Sequence, residues 1–584
     1  MIRKRPQRSR LKLTPDFSLT TFRRQLASLD SVPQFALLGI FSGFLTGITV
    51  LLFRLVVESV LVWFLPGDSE SFEQLPVLES FCLPIAGGIT LAILLFMLRE
   101  QDRSIGVTHV LDRLAQHQGH LPLRNLLNQF LTGSIALISG QTGGREGPAI
   151  HLGAGASSLL GQVLKLPNNS IRVLVGCGAA AAIGCSFNTP IAGVIFSMEV
   201  IIMEYTIAGF IPVILAAVTG TFIIQLVFGN DPAFFVPGVS MQSYTDLPVV
   251  VLEGISIGIL AAVLVRLIQF IARHRPNHLV TRILIAATVT ASLGLLTPAI
   301  LGIGYDTLEL ALQGKIVISM LLLIITCKLI ATAANLAMGM PIGLIGPTLL
   351  IGALAGGLFW QGGQLLTENL SGSAFYVILG MGAMMGAVLQ APLAALMAVI
   401  ELTHNPGIIL PTMLVIVIAN ITASQGFKIK SIFETQMDLL GLQYKQNPLS
   451  MALNRASVGS QMSRSFIRVA NLLSRQEAQS YALQESAWLL VEQSQETAFI
   501  LRHEDLKTYL SSPQDDDTID LAKIPGLRKD VTTILLQATL SEAFDKLQSS
   551  GVQALIVIRV AAPLIETPVG ILTREDIESF YSKV

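Results

Sequence analysis

Long apolar segments dominate the first three quarters of this chain. They run from about Phe35 to about Phe427 and are separated by short polar gaps. From about Lys428 to Val584 charged residues return and the apolar runs become shorter. Apolar runs of about 20 residues are typical of transmembrane helices. The pattern therefore predicts an all-α polytopic membrane region followed by one small domain outside the membrane.

Several apolar segments are too short for a straight crossing and are interrupted by glycine or proline. A straight helix needs about 20 residues to cross the hydrocarbon core of a bilayer. The interrupted segments lie at 147–161, 173–186, 190–203, 341–360 and 389–402. Irregular backbone is tolerated at membrane depth only where it is buried in protein or lines a cavity. We therefore expect tilted, broken helices whose ends lie within the membrane.

Lysine and arginine predict the orientation of the chain. Cytoplasmic loops carry the excess of these residues, and the basic gaps here are 99–124, 164–172, 273–282 and 428–430. The gap Gly229–Glu253 contains neither Lys nor Arg. Both termini are therefore predicted to be cytoplasmic, with the region near 235 outside, so each half crosses an odd number of times. Residues 1–34 are predicted to be a retained basic arm, because the first apolar run begins too late for a cleaved signal.

The two halves of the apolar region repeat each other. Both carry the pattern GxxGPxxxxGA, and both later carry a proline followed nine residues on by a glutamate. The matching positions are 144–154 with 343–353, Pro190 with Pro392, and Glu199 with Glu401. Two repeats that each cross an odd number of times have opposite orientations, which is the inverted-repeat plan of transport proteins. The predicted repeats cover about 35–228 and about 249–427.

The repeated glycine–proline pairs predict an anion site. Proline fits the first turn of a helix, and the preceding glycines, Gly147 and Gly346, leave backbone N–H groups uncovered. A helix start carries roughly half a positive charge, so two facing starts would bind an anion without Lys or Arg. Glu146 lies at the first of these starts, where its carboxylate would compete with the anion and leave on protonation. The neighbouring Arg145 could instead form a structural ion pair with it.

Composition narrows the classes of function. The chain of 584 residues is 52% hydrophobic and 13% charged with a net charge of −1, which excludes a soluble enzyme, disorder and a nucleic-acid partner. Its four cysteines contain no CxxC pair and its eight histidines no HExxH, so neither a metal site nor an intramembrane enzyme is expected. A cation transporter is the other alternative, and it would need converging carboxylates or carbonyl rings.

The motif Gly144-Arg145-Glu146-Gly147-Pro148 resembles the signature of the CLC family of chloride channels and chloride/proton exchangers. The segment Gly343–Pro347 is similar to the family's second anion-binding segment, and Phe187-Asn188-Thr189-Pro190 to its FNxP turn. The resemblance covers roughly residues 35–440. It implies a CLC-like fold, a homodimer with one pore per subunit, a voltage-gated chloride pathway and a bacterial inner-membrane location. It also implies that Glu146 is the gating glutamate and that the N–H groups of Leu344 and Ile345 coordinate the anion.

The chain departs from the family pattern at three positions. The first anion segment of the family corresponds to residues 104–108, where Ile105 replaces a serine, so that the hydroxyl of Ser104 or Thr108 would have to substitute. Phe433 replaces the anion-contacting tyrosine, and Val200 replaces the inner proton-transfer glutamate of the exchangers. The full set of implied anion-binding residues is Ser104, Ile105, Gly106, Gly147, Leu344, Ile345 and Phe433.

These departures favour a passive channel over an exchanger. Two lost hydroxyl donors would weaken the anion site, and Val200 has no atom that can carry a proton. The prediction is a chloride channel gated by Glu146; the alternative is an antiporter of chloride or another halide with protons. Glu199, Glu204 or Glu401 could still relay protons, although the repeat-equivalent Glu199 and Glu401 favour a structural role.

The tail, residues 451–584, contains a weak repeat of its own. Residues 500–506 parallel 571–577, and strand-like runs at 488–491 and 554–559 precede the two copies. An amphipathic helix is predicted at 541–548, before the second run. Residues 511–520 are predicted to be a polar linker. The tail resembles a CBS pair, a small α/β regulatory domain, which implies an adenine-nucleotide site at Thr573 and Asp576, or at Asp505. Because Arg502 replaces the matching threonine of the first copy, we expect weak nucleotide binding or none, and otherwise no cofactor.

Overall fold

The computed structural model describes residues 22–23, 25–26, 31–65, 71–230, 239–365, 369–442, 448–493, 496–512, 517–562 and 565–581. Most of the predicted basic arm, Asp231 of the predicted outer gap and residues 513–516 of the predicted linker lie outside these ranges. The described residues form two compact units. One comprises Phe35–Leu164 and Ser170–Asn447; the other comprises Met1–Gln34, Lys165–Asn169 and Pro448–Val584.

The first unit is helical, as predicted. Its helices are α1 (Val32–Phe64), α2 (Val77–Met97), α3 (Gly106–Gln116), α4 (Leu123–Ile138), α5 (Glu146–Val163), α6 (Asn168–Phe187), α7 (Pro190–Phe196), α8 (Ile207–Phe228), α9 (Asp246–His274), α10 (Leu279–Leu296), α11 (Tyr305–Leu312), α12 (Ile318–Met338), α13 (Ile345–Gln364), α14 (Ser373–Leu389), α15 (Pro392–Thr403), α16 (Ile409–Ile421) and α17 (Ile432–Leu439). A π-helical turn, Ser197–Ile201, continues α7, and another, Thr422–Gly426, continues α16. Within the described residues nine helices are long and apolar enough to cross a membrane. Two of them, α6 and α13, have 20 residues each and correspond to the interrupted segments 173–186 and 341–360, so the expectation that these two segments are too short for a crossing is wrong.

The repeats are visible in the backbone as well as in the sequence. The turn between α6 and α7 places Asn188 at φ 60°, and the turn between α14 and α15 places Gln390 at φ 52°. Each left-handed residue is followed by an extended residue and then by the proline that begins the next helix. A residue before proline is disfavoured in the helical region, which explains why both helices end at this point.

Glycine pairs allow close crossing of neighbouring helices at the same place in both repeats. A Cβ on Gly153 of α5 would lie 2.4 Å from the carbonyl oxygen of Gly178 on α6. A Cβ on Gly352 of α13 would lie 2.2 Å from the carbonyl oxygen of Gly380 on α14. Because lipid gives helices no hydrophobic drive to associate, such close packing of small residues stabilises the unit.

The second unit contains the predicted α/β tail. Its elements are α18 (Pro448–Asn454), α19 (Val458–Gln461), β1 (Phe466–Ala470), β2 (Leu472–Ser474), α20 (Arg475–Ala482), β3 (Trp488–Gln493), β4 (Glu496–Arg502), α21 (His503–Leu510), β5 (Thr518–Asp520), β6 (Arg528–Leu535), α22 (Leu540–Ser550), β7 (Ala554–Ala562), β8 (Ile565–Thr573) and α23 (Arg574–Tyr581). Six strands form a sheet in the order β1-β3-β4-β6-β7-β8.

The predicted strands at 488–491 and 554–559 and the helix at 541–548 correspond to β3, β7 and α22. The interpretation of 511–520 as linker throughout is wrong at its end. Thr518–Asp520 forms β5, which pairs antiparallel with Leu472–Ser474. The single apolar residue Ile519 is buried in this pairing, and a single residue gives too weak a signal for strand prediction from sequence.

Candidate anion site

The two repeated motifs meet backbone to backbone. Gly144 N–H donates to the carbonyl oxygen of Gly343 at 2.8 Å, and Gly343 N–H donates to that of Gly144 at 2.7 Å. A Cβ on Gly343 would lie 2.6 Å from the backbone nitrogen of Gly147. Only glycine permits this approach, which brings the starts of α5 and α13 together as the inverted repeat predicts.

Glu146 is the first residue of α5, and its carboxylate lies at the start of α13. The side chain is fully buried. Its Oε2 accepts a hydrogen bond from Gly346 N–H at 3.3 Å, while Oε1 has no hydrogen-bond partner among the described residues. A Cβ on Gly346 would lie 3.2 Å from Oε1. The carboxylate of the first repeat therefore occupies the positive end of the helix from the second repeat.

Arg145 does not neutralise Glu146 by an ion pair. Its guanidinium lies 3.3 Å from Glu58 Oε1 on α1 and donates to the carbonyl oxygen of Ser186 at 3.1 Å. The structural pair left open for Arg145 is therefore formed with Glu58. The Glu146 carboxylate instead interacts with the backbone N–H groups at the start of α13.

Most of the implied anion-binding residues line one cavity of about 160 Å³. They are Ile105, Gly106, Gly147, Leu344, Ile345 and Phe433. Ser104 is the exception and lines a neighbouring cavity of about 870 Å³, which Ile105 and Thr108 also line. The smaller cavity is thus placed between the helix starts and the larger one.

The two substituted positions leave the cavity poor in hydroxyl donors. Ile105 precedes α3 and contributes an aliphatic side chain. Phe433 contributes a benzene ring that packs edge-on against Phe196, with the ring centroids 6.5 Å apart. Thr108 supplies a hydroxyl that borders both cavities. The first turn of α13 adds backbone N–H donors that have no partner within the helix, and that of Gly346 donates to Glu146.

Val200 and its neighbouring acid offer no free carboxylate. Val200 is buried in the π-helical turn after α7. Glu199 accepts hydrogen bonds from the N–H groups of Leu393 at 3.3 Å and Ala394 at 2.9 Å, at the start of α15. Glu401 on α15 returns the same contact to Ile191 at 2.9 Å and Ala192 at 2.7 Å. The two glutamates form a reciprocal clasp between α7 and α15.

A histidine pair lies beside the cavities. His109 Nδ1 and His151 Nε2 are 2.8 Å apart, and Arg113 Nε donates to His109 Nε2 at 3.1 Å. Since arginine only donates, His109 carries its proton on Nδ1 and donates to His151. Protonating either ring would place two N–H groups against each other or against the guanidinium, so the geometry holds both histidines neutral. They are local hydrogen-bonding residues.

Comparison with known proteins decides the family. Residues 86–424, more than half of the chain, match the family model described as voltage gated chloride channel. The chain belongs to the CLC family. A putative chloride channel protein ClcB-like from Ralstonia nicotianae is 30% identical over 381 residues, which are 62% of this chain and 87% of that protein. The H(+)/Cl(−) exchange transporter ClcA of Vibrio parahaemolyticus is 28% identical over 48% of this chain and 63% of its own length.

Solved CLC structures have the same fold. The structure of a slow cyanobacterial Cl−/H+ antiporter aligns with a TM-score of 0.60 at 22% identity, over 70% of this chain and 98% of that one. A eukaryotic CLC transporter aligns with a TM-score of 0.55 at 18% identity over 96% of this chain and 98% of that one. The predicted fold, a CLC membrane domain with a CBS-like tail, is therefore confirmed, and the chain is a CLC anion-transport protein of the membrane.

In the tail, the implied nucleotide-binding residues bind each other. Asp576 Oδ2 accepts hydrogen bonds from both the backbone N–H and the hydroxyl of Thr573 at 2.8 Å. This is a capping contact at the start of α23, so the aspartate has a structural role there. In the first copy, Asp505 Oδ2 accepts from Leu527 N–H at 3.3 Å, and Arg502 stands at the helix start without a side-chain cap.

Sequence reasoning missed two buried polar residues in the membrane unit. Gln129 on α4 lines the smaller cavity. Lys328 on α12 is fully buried and donates to the carbonyl oxygens of Ile300, Gly302 and Ile303 at 2.8–3.2 Å. Each stands 15 residues before the first glycine of its repeated motif, Gly144 or Gly343. Aligning the repeats further upstream would have revealed this matched pair of polar residues in apolar helices.

Proposed function

We propose that this CLC protein is a passive chloride channel gated by Glu146. The observation that carries the proposal is the position of the Glu146 carboxylate at the start of α13, beside the cavity that Leu344 and Ile345 line. A carboxylate and a chloride ion compete for the same positive helix end, because both are anions. The deprotonated side chain closes the path, and its protonation or displacement opens it.

Conduction requires that the anion bind weakly enough to leave. Helix starts offer partial charges rather than a full cation, and Ile105 and Phe433 add no hydroxyl donor. Of the arginines near the path, Arg145 pairs with Glu58, and Arg275, which lines the cavity, donates to the carbonyl oxygen of Ala337 at 3.0 Å. A shallow site of this kind favours rapid release over tight occlusion.

The environment of Val200 supports passive rather than proton-coupled transport. A proton entering from the inside needs an acceptor there, and Val200 has none. The neighbouring acid, Glu199, is held by two N–H groups of α15, and His109 Nδ1 is hydrogen-bonded to His151 Nε2. Proton exchange would then depend on water alone.

Proton-coupled antiport is the second candidate. It is favoured by the names of relatives, which include an H(+)/Cl(−) exchange transporter and a Cl−/H+ antiporter. A CLC-type fluoride/proton antiporter also aligns, with a TM-score of 0.58 at 21% identity. In this case Glu146 would act both as the gate for the anion and as the proton carrier.

Liposomes containing the full-length protein distinguish the two functions. A chloride gradient is imposed, and chloride efflux and proton uptake are recorded together. We expect chloride efflux without uphill proton movement, and faster, pH-independent efflux from Glu146→Gln, which imitates the protonated gate. Glu253→Gln, which changes another fully buried carboxyl that does not line the cavity, is the matched control and should behave like the wild type.

Two outcomes would contradict the proposal. Uphill proton movement at a fixed ratio to chloride, abolished by Glu146→Gln, would establish the antiporter instead. Efflux and pH response unchanged by Glu146→Gln would remove this residue from the mechanism.

The same proposal includes a homodimer in the bacterial inner membrane with both termini in the cytoplasm. The orientation rests on the basic gaps, and the dimer rests on the family. Apolar side chains suited to lipid or to a second copy are exposed at the clasped helices, among them Ile191 and Leu393, each about half exposed. The CBS-like tail is proposed to be regulatory and to bind adenine nucleotide weakly or not at all, because Thr573 already occupies Asp576.

A further inference from the structure

Gln129 is the most completely buried polar side chain that lines the smaller cavity. It lies on α4 and is 1% exposed. It lines the same cavity as Gly147, Ile345 and Phe433. A buried amide must find partners for both its oxygen and its nitrogen, since an unsatisfied polar group is costly.

The orientation of the Gln129 amide follows from its neighbour. Gly106 N–H donates to the oxygen Oε1 at 2.7 Å. A backbone N–H requires an acceptor, so the oxygen is assigned to this side and the nitrogen Nε2 to the other. Nε2 lies towards the first turn of α5, because a Cβ on Gly133 would be 3.2 Å from Nε2 and 3.1 Å from Pro148. In the part of the chain that the structure describes, Nε2 has no hydrogen-bond partner.

We infer that Gln129 Nε2 is a hydrogen-bond donor to the transported anion. This inference rests on the proposed function and deepens it. The cavity has a wall of Ile105 and Phe433, which donate nothing, and it is also lined by Gln129, whose amide nitrogen has two unused N–H bonds. An anion in the cavity accepts such a bond, which satisfies the amide and replaces a donor that the substituted positions lack.

The second repeat supplies an internal comparison. Lys328 occupies the same repeat position as Gln129, but its ammonium group already donates to three carbonyl oxygens of the segment before α11. Gln129 likewise holds the first residue of α3, Gly106, but it uses only its acceptor to do so. The repeat position therefore has a structural role in both halves, and the spare donor is particular to Gln129.

Two substitutions separate the structural role from the donor role. Gln129→Met removes both the donor and the acceptor and adds no charge. Gln129→Lys keeps donors and removes the acceptor. Chloride binding to the purified full-length protein is measured by titration calorimetry at pH 8, together with chloride efflux from liposomes and the thermal midpoint in detergent.

The donor role predicts roughly tenfold or greater weakening of chloride binding in Gln129→Met, since one charge-assisted bond is lost. Gln129→Lys should bind chloride at least as tightly as the wild type, although both variants lose the acceptor for Gly106 N–H and should have a lower thermal midpoint. Unchanged binding in Gln129→Met, or equal loss in both variants, would overturn the inference and leave Gln129 as a support for Gly106. If the wild type neither binds nor conducts chloride, the proposed function is wrong, and this inference is wrong with it.

Discussion

The reciprocal clasp between α7 and α15 gives the sharpest prediction about the glutamates near Val200. Glu199 and Glu401 each accept two backbone N–H bonds from the other's helix, at 2.7–3.3 Å. Substitution by glutamine keeps one acceptor oxygen and removes the charge. Each substitution therefore loses one charge-assisted hydrogen bond and the attraction of a carboxylate to a helix start.

The expected decrease in the free energy of unfolding follows from these two losses. A hydrogen bond to a charged group contributes about 1.5–3 kcal/mol, and a carboxylate at a helix start about 0.3–1 kcal/mol. Because the ends of both helices are partly exposed, we expect the lower part of the sum, about 2 kcal/mol for each variant. The double variant should lose less than the sum, since both clasps join the same pair of helices and breaking one weakens the other.

The assay combines stability with flux. Unfolding of the full-length protein by a denaturing detergent gives the decrease in unfolding free energy for each single variant. The double variant then gives the coupling free energy between the two glutamates. Chloride and proton fluxes in liposomes are then compared for Glu199→Gln and Glu401→Gln, which serve as each other's control because the repeat makes them equivalent. A structural clasp predicts parallel changes. Altered proton movement in Glu199→Gln alone would refute the reasoning and identify Glu199 as a proton carrier.

Two further predictions concern the cavity and the tail. Phe433→Tyr should tighten chloride binding several-fold in titration calorimetry, because it adds a phenol donor to the cavity wall; unchanged affinity would mean that the hydroxyl does not reach the anion. In the tail, Lys529 donates to both carboxylate oxygens of Glu575 at 2.8 Å and holds the pKa of Glu575 at about 2. Since this pKa is depressed from 4.5, the pair stabilises the tail above about pH 4.5 and loses its effect as the pH falls towards 2. Glu575→Gln should therefore lower the unfolding free energy by about 1 kcal/mol or less at pH 7, because Glu575 is exposed, and should change nothing at pH 2. Hydrogen exchange of β6 and α23 measures this difference. An equal difference between wild type and variant at both pH values would contradict the prediction.

Local motifs in the sequence located much of this architecture. The glycine–proline pairs predicted where α5 and α13 begin, because proline at a helix start and glycine before it are local requirements of the backbone. The equal spacing of Glu199 and Glu401 from their prolines indicated a shared structural role, and the clasp explains it. The sequence could not give the direction of that contact, since the N–H groups that each glutamate receives lie about 200 residues away.

Other features depended on packing that no local pattern encodes. The partner of Arg145 is Glu58, which is 87 residues earlier in the chain. Ser104 lines the larger cavity, Ile105 lines both cavities and Gly106 lines the smaller one, and the backbone turns at Gly106, where φ is 78°. Gln129 gave no local signal, and its role emerges only when α3, α4 and α5 converge on one cavity.

The repeat builds a symmetric frame, and the side chains make it asymmetric. Glu146 and Ile345 occupy equivalent positions, two residues after Gly144 and Gly343. Two glutamates there would place two carboxylates at one anion site and repel both each other and the ion, whereas two apolar residues would leave the path without a gate. With one of each, the carboxylate of one half reaches the helix start of the other. In the proposed channel, Ile345 then leaves that start uncovered for the anion once the carboxylate moves, and the single ionisable residue of the pair is what would allow an inverted repeat to form one gated path.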